Sequence, residues 1–511
     1  MSIILCVLLV FLFVVYCKWI LQVYMLKFLK QKRERKKSIW DIPGPMILPF
    51  FGTKWIFLWK YKISKLHEAY FDFNKQYGQI ALEVTPFGTP VIHIFDKDDI
   101  EKVLRYPSKY PFRPPTEIVM YYRQSRPDRY CSIGIVNEQG EKWHNLRNKL
   151  TPHITSPKII QTFLPVLNSI SDDFIQLLKT ERDHKTFLLK DFNDIANLMG
   201  LEAICAFVLG RRMGFLTNLE NQPKEINDLA MAVKQLFVSQ RDSYFGMGLW
   251  KYFPTKTYQN FEFSEDTIYS VISNLVNKSL DDEQLECDSE DIKSVYINIL
   301  RTEDLDIKEK KSAIIDFIAA GIETMANTLI FMLYHITNHS DACERIIKEI
   351  KQFKSSSVLE IDLNKATYTK ACLKEVYRIQ PTAFCLARVL EENMFLSGYY
   401  IPSGSVILCQ NMIACHNDVY FSDAKKFIPD RWLDETKSEY QMMNSTIIAP
   451  FGAGKRMCPG KRFVEMEILI LVAKLLINFD IHFENELETE FEFLLVPKTP
   501  IDLILKDREL N

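Results

Sequence analysis

Thirteen residues, Phe451-Gly-Ala-Gly-Lys-Arg-Met-Cys-Pro-Gly-Lys-Arg-Phe463, constrain this chain more than any other stretch. They read as a loop built around one cysteine. Gly452 and Gly454 allow backbone turns in which a side chain would clash. Arg456 brings a cation two residues before Cys458, Pro459 removes a competing backbone N–H, and Gly460 permits close approach of a flat partner. From Arg462 to Lys474 the residues carry a strongly helical pattern. Cys458 is therefore expected at a helix N-terminus, where backbone N–H groups and the dipole favour a thiolate. Most free cysteines are simply small buried hydrophobes. The spacing F-x-x-G-x-R-x-C-x-G argues against that here, because chance would produce it on the order of 10⁻⁴ times in such a chain.

A thiolate in a shaped, mostly apolar loop is a candidate axial ligand to haem iron, of the type that pushes electron density toward O–O cleavage. The stretch resembles the haem-thiolate signature of the cytochromes P450. That resemblance implies haem b (iron protoporphyrin IX), with Cys458 as metal ligand and Phe451, Gly454, Arg456 and Gly460 shaping the cofactor loop. It also implies O2 as co-substrate and a mainly α fold with small β-sheets and a long central oxygen-binding helix.

Length alone allows about three domains, yet no linker or repeat interrupts the chain after residue 45. One catalytic domain over 46–511 is expected, and 47% hydrophobic residues give it a large core. A net charge of −2 gives no reason to expect nucleic acid. Eleven cysteines without a C-x-x-C pair point to a reducing compartment rather than a disulfide framework. Residues 1–26 read as an N-terminal membrane anchor, long enough to span if Lys18 snorkels. The basic run and Ile42-Pro-Gly-Pro45 make 27–45 a stiff hinge. Basic residues that follow the apolar run oppose a cleaved signal peptide and favour a signal anchor with a cytosolic body.

Two β-type runs, Gln79–Val84 and Thr89–Phe95, flank a Pro-Phe-Gly turn. Residues 106–136 lack a clean period and read as a long functional loop. A helix opens at Gly140 and places Trp143 and Arg147 on one face. Taken alone, that face fits an ion-pair surface over a core tryptophan equally well; the resemblance makes both residues holders of a haem propionate. Residues 160–300 read mainly as helices, and the acidic stretch Asp281–Glu290 as a solvated loop.

From Asp306 to Asn338 the chain is long, apolar and free of proline, a buried central helix. Within it Gly321 weakens the helix, and the Thr324 hydroxyl is expected to bond back to the Ala320 carbonyl. Together they are expected to open a groove for a diatomic ligand. Glu323 needs a partner or a task in so greasy a stretch. Ala319-Ala-Gly-Ile-Glu-Thr324 resembles the acid–threonine motif of the P450s, which implies that Thr324 and Glu323 are catalytic and deliver protons for O–O scission.

Glu375 and Arg378 lie one helical turn apart. They resemble the family's E-x-x-R, which implies a buried network with Arg431 of Phe427-Ile-Pro-Asp-Arg-Trp432. By the same resemblance Arg388 is a second propionate-binding arginine, and Ala320, Thr382, Phe384 and Leu386 border the substrate pocket, with the aromatic pair Tyr121-Tyr122 beside it. Lys370, Lys374, Lys461 and Arg462 fit ordinary solvated charges, but they also resemble the ferredoxin-docking residues of mitochondrial P450s. The anchor points instead to the endoplasmic reticulum and a diflavin reductase. Both the mitochondrial inner membrane and the reticulum stay open, as does an adrenodoxin-type ferredoxin against the diflavin enzyme.

Pro111–Glu117, Ser125–Tyr130, Val136–Gly140, Leu209–Gly214 and Pro381–Arg388 resemble the ecdysteroid-hydroxylating branch of the mitochondrial clan. That implies hydroxylation of the steroid ecdysone at C20. Another steroid, a fatty acid or a xenobiotic is the alternative substrate; an O2-independent haem-thiolate isomerase is opposed by the Glu323-Thr324 pair.

Overall fold

The computed structural model describes residues 37–508 apart from 218, 220–221, 284–294, 353–364, 437 and 443–444. The expected anchor, 1–26, lies outside the described residues.

Apolar residues at helical spacing build most of the molecule. The helices that frame the site are α1 (Glu117–Gln124), α2 (Gly140–Leu150), α3 (Pro157–Glu181), α4 (Phe192–Leu209), α5 (Lys224–Phe245), α6 (Lys256–Glu283), α7 (Ile307–Thr337), α8 (Thr367–Ile379) and α9 (Lys461–Asn478). The central helix α7 starts where the Asp306 carboxylate accepts the Lys308 N–H at 2.7 Å, a side-chain cap for an otherwise orphaned donor. Among the described residues α4 and α7 are both long and apolar enough to cross a membrane, and both are mostly sealed inside protein. They are core helices that pack on each other.

Small residues let α4 and α7 approach closely. A Cβ on Gly321 would sit 2.8 Å from Ile204 Cγ1, and one on Gly200 would sit 2.8 Å from the Ile322 carbonyl oxygen. This corrects the reading of Gly321 as a groove-former: α7 is continuous through it, and its missing side chain serves helix–helix packing.

The main sheet has four strands: β1 (Ile80–Val84), β2 (Pro90–Ile94), β3 (Leu386–Val389) and β4 (Val406–Cys409), in the order β1-β2-β4-β3. β2 pairs antiparallel with β1 and parallel with β4, and β4 pairs antiparallel with β3, which sets Arg388 opposite Ile407. A hairpin of β5 (Thr489–Phe491) and β6 (Leu495–Pro497) closes on the segment before β3, where the Leu495 N–H donates to the Thr382 carbonyl at 2.8 Å.

Three expectations change. The described part of the hinge belongs to the body: Lys37–Ser38 pair with Tyr399–Tyr400, Ile42 is buried, and Pro43 accepts the Leu82 N–H at 2.8 Å. Gly44 lies so close to Leu82 that a Cβ would reach 2.1 Å from its carbonyl oxygen. The loop 106–136 contains α1, a helix short enough to hide from a period count. Asp281–Glu283 continue α6 rather than open a loop; the rest of that acidic stretch lies outside the described residues.

Candidate active site

The cysteine loop is held by its own backbone. Gly452 and Gly454 take φ of +79° and +65°, the left-handed region that favours glycine. The Cys458 N–H donates to the Phe451 carbonyl at 2.7 Å, and Met457 N–H to Gly454 at 3.0 Å. Gly460 has an ordinary φ of −76°; what matters is its missing side chain, since a Cβ would lie 3.8 Å from the Cys458 sulfur. The sulfur is open on one side, although protein surrounds the rest of it. The expected thiolate preference is overturned in part. Burial raises the thiol pKa, against the lowering effect of the Gly460 and Lys461 N–H groups and Arg147. Desolvation outweighs the helix end.

Four cations gather beside this loop. Arg456 donates to the carbonyls of Pro111 (2.9 Å) and Glu138 (2.8 Å) and to Gln139 Oε1 (2.9 Å). Its guanidinium lies 3.8 Å from the ring centre of buried Trp143. Arg388 donates to Ala387 and Ala453 carbonyls, and Arg147 to the Met457 carbonyl. Burial first, then repulsion from Arg113, Arg388 and Arg147, pushes the Arg456 pKa down to about 9. Among the described residues none of these four forms an ion pair with a carboxylate. Enclosed, mutually repelling cations call for an anionic ligand.

On α7, the Thr324 hydroxyl donates to the Ala320 carbonyl at 2.8 Å, as its spacing predicts. Ala320 is exposed in the middle of this largely buried helix, so it faces a hollow. Glu323 is 5% exposed, and its Oε2 has no hydrogen-bond partner. Burial, then the Glu492 charge, raises its pKa to about 7 against the pull of Lys234. Such a carboxyl holds a proton near neutrality and can give it up. Glu492 and Lys234 carry no sequence signal. They reach this helix from the hairpin and α5 only through the fold.

Glu375 is fully buried and accepts from Arg378 Nε (2.9 Å) and Nη2 (2.8 Å), Arg431 Nε (3.0 Å), Trp432 Nε1 (2.9 Å) and Ile428 N–H (3.0 Å). Arg378 also donates to the Cys415, Ala424 and Lys426 carbonyls. One carboxylate thus ties α8 to the segment that leads toward the cysteine loop. Phe451 meets α8 through its ring, 5.3 Å from Tyr377.

The pocket residues divide. Thr382 and Leu386 are half-buried. Phe384 is 2% exposed and packs among Tyr70, His67 and Phe491. It belongs to the core, where these rings enclose it. Tyr122 is likewise buried and donates to Asp266 at 2.7 Å, while Tyr121 packs on Trp250 and Tyr258. This pair joins α1 to α6 rather than lining the pocket. Lys370, Lys374 and Lys461 converge on Glu465, and burial, then Lys461, lowers the Lys374 pKa to about 8. Arg462 leaves this cluster and donates to the Thr155 carbonyl at 2.8 Å.

These residues fit haem. Among the described residues no three His, Cys, Asp or Glu side chains group to chelate a bare ion, so iron bound by the single sulfur needs its other ligands from a macrocycle. The glycine-sided sulfur accommodates a flat ring, and the arginine cluster with Trp143 suits carboxylate substituents.

Residues 42–505 match the sequence model of the family described as cytochrome P450. The chain is 57% identical over 93% of its length to "Ecdysone 20-monooxygenase" of Drosophila melanogaster, covering 90% of that protein. It is 30% identical over 90% of its length to "Probable cytochrome P450 CYP44" of Caenorhabditis elegans (92% covered). It is 26% identical over 91% to "Cytochrome P450 302a1, mitochondrial" of Drosophila melanogaster (95% covered). This chain therefore belongs to the cytochromes P450, monooxygenases that carry haem iron and use O2 as co-substrate.

Proposed function

We propose that this protein hydroxylates ecdysone at C20, forming 20-hydroxyecdysone, with electrons from an adrenodoxin-type ferredoxin in the mitochondrial inner membrane. The 57% identity over 93% of the chain carries this reading, and relatives described as mitochondrial support the compartment and the partner.

Bound haem supplies O2 activation for insertion of oxygen into a C–H bond. The residues of the chain then have separate tasks. Cys458 would hold the iron through its sulfur. Arg147, Arg388 and Arg456 would hold the propionates, and the Trp143 ring supports the Arg456 guanidinium. Phe451, Gly454 and Gly460 shape the loop around the sulfur. Glu323, protonated up to about pH 7, releases its proton toward the hollow. The Thr324 hydroxyl gives its own hydrogen to Ala320, so its oxygen lone pairs stay available to receive one. Ala320, Thr382 and Leu386 border the substrate space. Glu375, Arg378 and Arg431 keep the cysteine loop in register. Lys370, Lys374 and Lys461 offer a basic face to an acidic ferredoxin.

Reconstitution tests the proposal. Purified enzyme is supplied with ecdysone and either ferredoxin plus its reductase or the diflavin reductase. Product oxygenated at C20 with the ferredoxin system supports it; product with the diflavin system alone moves the enzyme to the reticulum. No 20-hydroxylated product from either rejects the substrate reading.

A further inference from the structure

Glu323 can serve repeatedly only if it regains the proton it gives up. Monooxygenation reduces one atom of O2 to water with electrons and solvent protons, so each proton that leaves a buried acid must be replaced from outside. At 5% exposure Glu323 does not meet bulk water itself. Another group has to carry the proton inward.

The hairpin of β5 and β6 supplies a candidate. Both α5 and β6 pack on α7. α5 also holds the hairpin directly: Arg241 donates to the Phe491 carbonyl at 3.0 Å, the Phe245 ring lies 5.4 Å from that of Phe491, and the Tyr244 ring 6.3 Å from that of Phe493. The turn of the hairpin therefore sits at the seam where α5 meets α7. Glu492 opens this turn, and its N–H donates to the Leu494 carbonyl at 2.8 Å. Its side chain is 9% exposed, and its Oε2 has no hydrogen-bond partner; the same holds for the Oε2 of Glu323. Two buried carboxyl groups at one seam, each with an orphaned oxygen, are costly unless protons occupy them. Glu492 is also the charge that acts most strongly on Glu323.

On its outer side Glu492 faces four charged groups. Burial raises its pKa most, Lys234 and Arg241 of α5 pull it down, and Glu490 of β5 and Asp242 of α5 push it up. Lys234 donates to Thr499 Oγ1 at 3.3 Å. All four of these residues are half-buried, so this side of Glu492 leads to solvent, while the other leads to Glu323.

We propose that Glu492 resupplies Glu323 with protons and acts on the reaction only through that carboxyl. This rests on the acid role of Glu323 given above. The Glu492 O–H passes its proton to the Glu323 carboxylate. The Glu492 carboxylate left behind takes a proton from solvent on the Lys234 and Arg241 side, and both carboxyl groups end protonated as they began. Each proton delivered to the hollow is matched by one drawn from water.

The test compares holoenzymes of wild type, Glu492→Gln, Glu492→Asp, Glu323→Gln and the double variant Glu323→Gln with Glu492→Gln, matched for haem content by the reduced-CO spectrum. Turnover uses ecdysone, or another steroid that shifts the haem spectrum if ecdysone does not. Glu492→Gln should lower product formed per electron roughly threefold or more. Glu492→Asp should recover most of that loss, and the double variant should be no worse than Glu323→Gln alone. A second readout needs no turnover. The difference in urea midpoint between a protein and its Glu323→Gln derivative, followed from about pH 5 to pH 8, reports the titration of Glu323. Glu492→Gln should move that titration down by about half a pH unit or more, because a neighbouring negative charge is gone. A titration that stays in place, or coupling losses that add in the double variant, overturns the proposal and leaves Glu492 a structural residue of the hairpin. Full coupling in Glu492→Gln while Glu323→Gln uncouples overturns this proposal alone. Full coupling in Glu323→Gln overturns it together with the acid role of Glu323.

Discussion

Replacing Glu323 by glutamine should raise stability and lower catalytic fidelity, in a manner that depends on pH. In the folded protein the carboxyl titrates near 7, against an ordinary value of 4.5. Folding therefore favours the protonated form. Relative to an unperturbed glutamate, stability is fully present below pH 4.5 and falls as pH rises through 7, where the unfolded chain ionises freely and the folded one resists. That gap, at about 1.4 kcal/mol per pH unit, amounts to roughly 3 kcal/mol above pH 7. Glutamine has no proton to lose and keeps the shape. The variant should match wild type near pH 5 and exceed it by roughly 2–3 kcal/mol at pH 8, read from urea unfolding at both pH values. Product formed per electron consumed should drop at the same time, because the buried acid is gone. Parallel stability–pH curves for the two proteins would refute the reasoning, since the burial of Glu323 beside Glu492 would then have no titration consequence.

Other outcomes follow from the same geometry. Glu375→Ala strands two fully buried guanidinium groups and should cost about 3–5 kcal/mol, with Arg378→Met adding much less in the double variant than alone, as a double-mutant cycle in urea would measure. Gly321→Ala drives a Cβ to 2.8 Å from Ile204 and should destabilise by about 1–2 kcal/mol despite the better helix propensity; combining it with Ile204→Ala should relieve part of that loss. Thr324→Ala should retain haem and divert electrons to peroxide, so tight coupling in that variant counts against its assignment. Cys458→Ser should fold yet lose the haem-thiolate spectrum on reduction with CO, together with turnover.

Local chemistry made much of this protein legible in its sequence. Glycines at the two left-handed positions of the cysteine loop, the i and i+4 pairing of Ala320 with Thr324, the one-turn spacing of Glu375 and Arg378, and the two β-type runs are all short-range patterns. Short-range patterns act through neighbouring bonds, so they survive into the fold. The length of α7 belongs to this class.

Burial and the meeting of distant segments were decided by tertiary structure alone. Only the fold sends Phe384 into the core while the cysteine sulfur stays open, and only the fold turns Gly321 into a contact with α4. It brings Glu492 and Lys234 to the buried Glu323. It also outweighs the helix end at Cys458 by desolvating the thiol. Solvent exclusion depends on every element packed around a group, and one-dimensional spacing carries no record of it.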